Sequence, residues 1–281
     1  MQRLTFRGCF VSLTVACDPR PRVPSVQCPM PYYSSVCALV SGGLDSGILL
    51  HRLLCSSTRV VPIYLQCGLR WERVELYWLH QLLRTIPSAR LAPLQTITLP
   101  FGSLYGATHW SMTGHTIPSA RSPDAAVYLP GRNLVLITAA AIHCTTQRVS
   151  TIALGVLKGN PFGDANPRCL AHLSACLSQA LDHPFHITTP LRRFTKAQLI
   201  HAAKGVPLAL TFSCLSPRGR NHCGRCNKCA ERHRAFRHAG VADPTRYVRS
   251  EYVNANLKRG RFSFSSTRWP GRKIETSPGR L

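Results

Sequence analysis

Strand-like and helix-like segments alternate along this chain, and the alternation predicts an α/β fold. It is a doubly wound, mostly parallel sheet covered on both faces, followed by a cysteine-rich loop and a C-terminal helical segment. Two further observations support that class. The 281 residues are 44% hydrophobic, enough to bury one large core. The first apolar run also ends in a glycine pair where a helical pattern begins, the kind of junction at which open parallel sheets bind ligands.

Taken in order, Val36–Val40 is a short β-branched run, and Gly47–Cys55 is helical in pattern. RVVPIYLQ (59–66) reads as a second strand, with Pro62 placing it near an edge or making its register irregular. RWERVELYWLHQLLR (70–84) is an amphipathic helix with Val74, Trp78 and Leu82 along one side, and LQTITLP (94–100) is a third strand. The polar stretch 104–130 is long for a structureless loop and is a candidate lid or substrate loop. Residues 131–147 form a helix rich in alanine and leucine, 149–155 a fourth strand, 167–182 a helix and 185–190 a fifth strand. The last helix of the sheet region, 195–205, has Thr195 as N-cap and Gly205 as its stop. No internal repeat is evident. The expected divisions are a disordered extension (1–33), the α/β domain (34–212), a four-cysteine loop with a helical segment (213–250) and a disordered basic tail (251–281). The first residues faintly imitate a lipoprotein signal, but their apolar run is short, and both termini are expected to be dispensable.

The formal net charge is +24, almost all from arginine; Lys158, Lys196, Lys204, Lys228, Lys258 and Lys273 are the only lysines. Compositional drift and basic tails account for such a balance, and so does a basic cleft for anionic substrates. Without a recognisable binding module, nucleic acid is not expected as a partner. No apolar run approaches the ~20 residues of a transmembrane helix, so no membrane partner is expected either. Nine of the 13 cysteines are scattered and are expected to be reduced, mostly core thiols.

The stretch Ser41-Gly42-Gly43-Leu44-Asp45-Ser46 carries the first chemistry. Gly42 and Gly43 permit positive φ and close backbone approach to a ligand. Successive N–H groups can then form an anion nest backed by a helix N-terminus. Ser41 and Ser46 add hydroxyl donors. Asp45 cannot favour a bare phosphate by charge; it makes sense as a helix cap or as a ligand to Mg²⁺ bridging phosphates. Neither G-x-x-x-x-G-K-[ST] nor G-x-G-x-x-G occurs in this loop. The candidate nucleotide-binding segment is therefore Val40, Ser41, Gly42, Gly43, Leu44, Asp45, Ser46, Gly47, Ile48, Leu49 and Leu50. The competing reading is a capped turn without chemistry.

Cys214, Cys223, Cys226 and Cys229 carry the second. Four thiolates in one short loop suit a tetrahedral, closed and hence structural zinc site, one per chain. A redox pair would leave two cysteines unexplained, and an iron–sulfur cluster is the remaining rival. Arg218, Arg220, Arg225 and Lys228 can offset the thiolate charge, and His222 is read as a solvated neighbour and not a ligand.

The string S-G-G-L-D-S resembles the pyrophosphatase-loop signature of the N-type ATP pyrophosphatases, whose fold is adenine nucleotide alpha hydrolase-like. Together with C-x8-C-x2-C-x2-C, in that order, it resembles the 7-cyano-7-deazaguanine synthase family of queuosine-precursor biosynthesis. Residues 128–141 are similar to that family's V-P-G-R-N segment, 112–118 to its upstream loop, and Thr188–Leu191 with Lys196 to its T-P-L and lysine. The similarity spans roughly residues 34–240. It implies a cytoplasmic ATP-dependent ligase that adenylates the carboxylate of 7-carboxy-7-deazaguanine, admits free ammonia, and expels the amide oxygen with a second ATP to leave a nitrile. ATP with Mg²⁺ would be substrate, Asp45, Ser46, Arg132 and Asp164 the catalytic candidates, and Asn133 a further contact; homodimerisation stays open. Arg132 and Asn133 could instead merely start a helix, and Asp164 an Asx-turn. After the second strand Gly68, Arg70 and a downstream Glu75 keep the family's G-Q-R-H pattern while Leu69 and Trp71 replace its glutamine and histidine, and Lys158 and Asn160 stand where acids are common, in the region expected to face the substrate base. The alternatives are another adenylating enzyme, such as a tRNA-thiolating one using Cys67 or Cys144, and a zinc-containing nucleic-acid-binding protein with an inactive ATP site.

Overall fold

The computed structural model describes residues 31–248, so the imitation signal and the basic tail lie outside the described residues. Five strands form one wholly parallel sheet: β1 (Tyr33–Leu39), β2 (Ser57–Gln66), β3 (Gln95–Thr98), β4 (Thr151–Ala153) and β5 (His186–Thr188), in the order β3-β2-β1-β4-β5. The chain winds outward from β1 to β3, returns, and winds outward again through β4 and β5. The reversal falls between β1 and β4, where loops leaving adjacent strands part and open a crevice.

Alternation along β1 assigns the two faces. Val36, Ala38 and Val40 pack with α1 (Leu44–Ser56), Leu79 of α2 (Glu72–Arg84) and Leu199. Cys37 faces the other way, onto Ile137, Ala140, Ala141 and Cys144, with Leu170 and Leu177 behind them. Among the described residues no helix is long and apolar enough to cross a membrane.

Three elements differ from the sequence reading. Strand β2 is interior, paired with both β1 and β3. Pro62 is accommodated because the β3 side of β2 is interrupted there: Val60 exchanges bonds with Arg90 and Ala92, and the β3 ladder resumes only at Ile63–Gln95. The buried stripe of α2 is Glu72, Glu75, Leu79 and Leu82; Val74 and Trp78 are only partly buried at its flank. The stretch 104–130 is not structureless. Helix α3 (Gly102–Tyr105) runs into it, and it contains a one-turn helix, α4 (Trp110–Thr113), and a 3₁₀ turn at Asp124–Val127. It is tied to the cysteine loop: Ala120 N–H donates to Arg225 O at 2.9 Å, and Asn227 N–H to Pro118 O at 2.9 Å.

The remaining helices are α5 (Arg132–Thr146), α6 (Pro167–Ala180), α7 (Lys196–Ala202) and α8 (Asn227–Ala239). Thr195 caps α7 in a reciprocal capping box with Gln198. Gly205 takes positive φ in the turn beyond Ala203 and does not itself end the helix. Helix α8 docks Ala235 and Phe236 against Leu44 and Ile200, bringing the C-terminal segment to the start of α1. Of the scattered cysteines, Cys37, Cys67 and Cys144 are core thiols, whereas Cys55 and Cys176 are exposed.

The turn feeding α1 is pressed against α2. Gly42 has φ +73°, and a Cβ there would lie 3.1 Å from Leu79 Cβ. Gly43 has φ −71°, so only Gly42 uses the left-handed region, contrary to the expectation for both. Gly42→Ala is expected to cost about 1–2 kcal/mol from the left-handed backbone alone. At roughly 2–4 °C per kcal/mol, Tm should fall by several degrees in thermal unfolding; an unchanged Tm would show that this turn is not held as described.

Candidate functional site

The junction after β1 folds as a tight polar turn. Ser41 N–H donates to Ser46 Oγ at 3.3 Å, Ser46 Oγ donates to Gly43 O at 3.2 Å, and Phe212 N–H closes on Gly42 O at 2.7 Å. Gly43 stands at the N-cap of α1 with no side-chain cap, so Asp45 lies in the first turn and is not the cap. Val40, Ser41, Asp45 and Ser46 line a cavity of about 270 Å³. The side chains of Leu44, Ile48, Leu49 and Leu50 pack into the core and do not line it. Gly47 faces Thr211 and Leu82, and its missing Cβ lets α1 approach them.

Asp45 is part of a chain of alternating charges. Lys196 Nζ lies 3.2 Å from Asp45 Oδ2 and also bonds Glu231, whose other oxygen takes Lys228 Nζ at 2.7 Å. Burial works against the Lys196 charge, but Asp45 and Glu231 outweigh it and hold the ammonium above the ordinary lysine range. Lys196 and Lys228 likewise overcome burial and hold Glu231 down at about 2. Asp45 fares differently: burial, helped by the like charge of Glu231, raises its pKa despite Lys196 and Lys228. Its Oδ1 is buried without a partner. A half-compensated carboxylate oxygen of this kind suits an incoming cation.

The opposite wall comes from α5 and the segment after β4. Arg132, Asn133 and Asp164 all line the same cavity, so the structure brings together every catalytic residue expected from sequence. Asp164 does not form an Asx-turn. Its two oxygens accept from Asn133 N–H at 2.9 Å and Asn133 Nδ2 at 3.1 Å, which anchors the first turn of α5. Arg132 is free of that duty, and its buried Nε has no partner. Tyr128 and Phe162 stack with centroids 4.7 Å apart beside them. Leu69 and Trp71, expected to face a substrate base, are buried in the core instead, Trp71 stacking on Trp110 at 5.9 Å. Lys158 is exposed and does not line the cavity, whereas Asn160 does.

In sequence Glu75 is a match to the family pattern downstream of Arg70, with no role assigned to it. It lines the cavity from α2, nearly buried, with Tyr64 Oη donating to its Oε2 at 2.9 Å. Burial lifts its pKa to about 7, although Arg132 and the Tyr64 hydrogen bond pull the other way. Periodicity is a second signal. Glu72 and Glu75 occupy the same stripe as Leu79 and Leu82, where apolar residues belong. Glu72 accepts from Gly68 N–H at 2.8 Å and shapes the loop after β2.

The four cysteines are all buried, with their sulfurs within 4.8 Å of one another. Backbone N–H groups point at the sulfurs: Cys223 to Cys214 Sγ at 3.2 Å, Ser216 to Cys214 Sγ at 3.3 Å, and Arg225 to Cys223 Sγ at 3.4 Å. This group could hold a metal. His222 is buried, not solvated. Its Nε2 accepts from Ser213 N–H at 3.2 Å and its ring packs on Phe212, and burial with Arg232 nearby depresses its pKa to about 3.

Residues 35–240 match the family described as Queuosine biosynthesis protein QueC. The 7-cyano-7-deazaguanine synthase of Magnetococcus marinus is 30% identical over 78% of this chain and 99% of its own length. The 7-cyano-7-deazaguanine synthase 1 of Desulfitobacterium hafniense is 28% identical over 72% of this chain and 91% of its own. A solved structure of a 4-thiouridine synthetase–RNA complex with bound ATP aligns at 15% identity and a TM-score of 0.42, covering 74% of this chain and 50% of that one. With the family matched over most of the organised chain, this protein belongs to the QueC family of queuosine biosynthesis proteins.

Proposed function

We propose that the chain is an ATP-dependent carbon–nitrogen ligase of the cytosol that converts 7-carboxy-7-deazaguanine and ammonia to 7-cyano-7-deazaguanine through an adenylated carboxylate. The observation that carries this reading is the facing of two unlike groups across one cavity. The polar turn with the unpartnered Asp45 Oδ1 stands on one side, and Arg132 with its unpartnered Nε on the other.

A carboxylate is a poor acyl donor, and joining it to AMP supplies a leaving group. In this reading Ser41, Gly42, Gly43 and Ser46 receive the departing pyrophosphate with backbone and hydroxyl donors, aided by the α1 N-terminus. Lys196 adds positive charge beside them. Asp45 would hold Mg²⁺, which supplies charge neutralisation to the phosphates when bound. Arg132 orients the acceptor carboxylate toward the α-phosphorus. Asp164 keeps Asn133, and with it the first turn of α5, in place for that task. Tyr128 and Phe162 give the pocket wall an apolar, stacked ring surface.

A sulfur-transfer reading needs an accessible, acidic thiol at the pocket. Cys67 and Cys144 are both buried, and burial pushes the Cys67 thiol up to about 12. The donor set of the four-cysteine loop suits structural Zn²⁺, which Cys214, Cys223, Cys226 and Cys229 would hold with no position left for substrate.

With ATP, ammonium and the deazaguanine acid, the protein is expected to yield the amide and then the nitrile by product mass. Asp45→Asn keeps shape and removes the cation-directed charge, so it should lower kcat by about 10- to 100-fold or more with little change in Tm. A wild type that never forms the nitrile, or an Asp45→Asn variant with wild-type turnover, contradicts the reading.

Elemental analysis of purified protein should find about one zinc per chain, and Cys229→Ala should release it and destabilise the fold. Bound iron with visible-region absorbance would contradict the zinc assignment.

A further inference from the structure

We propose that Glu75 forms an ammonium-binding subsite and accepts the proton that turns ammonium into the attacking ammonia. The proposal rests on the ligase reading above and deepens it by naming where the nitrogen substrate binds.

Three observations carry it. First, Glu75 is a nearly buried carboxylate that opens on the reaction cavity, among the apolar side chains of Ile63, Leu65 and Leu136. A carboxylate in such a wall calls for a compensating cation. Second, the groups that face it leave that place open. Tyr64 on β2 donates only to Oε2, Glu72 on the same helix is occupied by the Gly68 N–H, and the Cys67 thiol is turned to Leu65 O. Arg132 on α5 acts on Glu75 through space, but among the described residues no ion pair joins the two. Third, Glu75 and Arg132 are opposite charges on one cavity. A carboxylate held at Arg132 and an ammonium held at Glu75 are the two reactants of amide formation, side by side.

Ammonium has no lone pair and must lose a proton before it attacks. A dry base with a raised pKa is suited to take it. Burial supplies that rise at Glu75, opposed by Arg132 and by the Tyr64 hydrogen bond. When an acceptor carboxylate engages Arg132, this opposition weakens and Glu75 becomes the stronger base. The proton moves from the ammonium nitrogen to a Glu75 oxygen. The freed lone pair forms the C–N bond at the acyl carbon, and the C–O bond to AMP breaks, its electron pair leaving with AMP. The proton lost as the amide nitrogen becomes neutral passes to solvent.

The test uses the full, metal-loaded chain with ATP and acceptor, and compares ammonium with hydroxylamine, which is already neutral at neutral pH. In Glu75→Gln the ammonium KM should rise, and the ratio of ammonium-driven to hydroxylamine-driven rate should fall by about tenfold or more. Tyr64→Phe removes a bond that favours the Glu75 carboxylate, so the acid limb of the ammonium-driven pH profile should move upward. An unchanged rate ratio in Glu75→Gln overturns the subsite, as does a raised KM for the acceptor alone, which would make Glu75 an acceptor contact. If Glu75→Gln does not fold, an unmoved acid limb in Tyr64→Phe overturns it. A wild type that releases no AMP with either nitrogen source overturns the ligase reading and the subsite with it. Hydroxamate and AMP from the wild type, with ammonium use undiminished in Glu75→Gln, overturn the subsite alone.

Discussion

One lysine is shared by two carboxylates, and much of the site depends on it. Lys196 bridges Asp45 in the turn after β1 and Glu231 on α8. Because Glu231 draws on the same ammonium and also holds Lys228, Asp45 stays under-compensated and keeps an oxygen without a partner. A fully paired Asp45 would be a structural ion pair. A shared one remains available to a cation while its position is held. The sharing needs α7 and α8 side by side, so the loop's electrostatics extend to the C-terminal segment.

That segment is braced from both ends. Cys229 and Glu231 lie on the same helix, so whatever closes the cysteine loop also sets the register of α8. On the other side Arg232, only 1% exposed, donates to Thr211 Oγ1 at 2.9 Å, Ser213 Oγ at 3.2 Å and Leu208 O at 2.9 Å. These bonds fix the run into Cys214, and Phe212 in the same run closes on Gly42 O. The four-cysteine loop and the polar turn are thus two ends of one packed unit.

Much of this was legible in the sequence. The five strands, the polar turn and the cysteine spacing are local patterns: β-branched runs, paired glycines at a strand–helix junction, and C-x-x-C turns. What was not legible is set by partners distant in sequence. Pro62 reads as an edge residue, and only the interrupted β3 ladder makes it compatible with an interior strand. Asp164 reads as a loop acid until Asn133 is seen to occupy both of its oxygens. His222 reads as solvated, yet Phe212 and the Ser213 amide bury it. Trp71 reads as a substrate-facing departure and is a core side chain stacked on Trp110. Glu75 reads as a family match without a role, and only its place beside Glu72 on the buried stripe of Leu79 and Leu82, open to the cavity, gives it one to consider.

The central claim is that the polar turn receives pyrophosphate while AMP passes to a carboxylate oxygen. Its most direct measurement uses acceptor labelled with ¹⁸O in the carboxylate, with ATP and ammonium, followed by mass analysis of the nucleotide and phosphate products. The account predicts that one labelled oxygen appears in AMP and none in inorganic phosphate. Label recovered in inorganic phosphate, with ADP as the nucleotide product, would mean transfer of the terminal phosphoryl group and would contradict it.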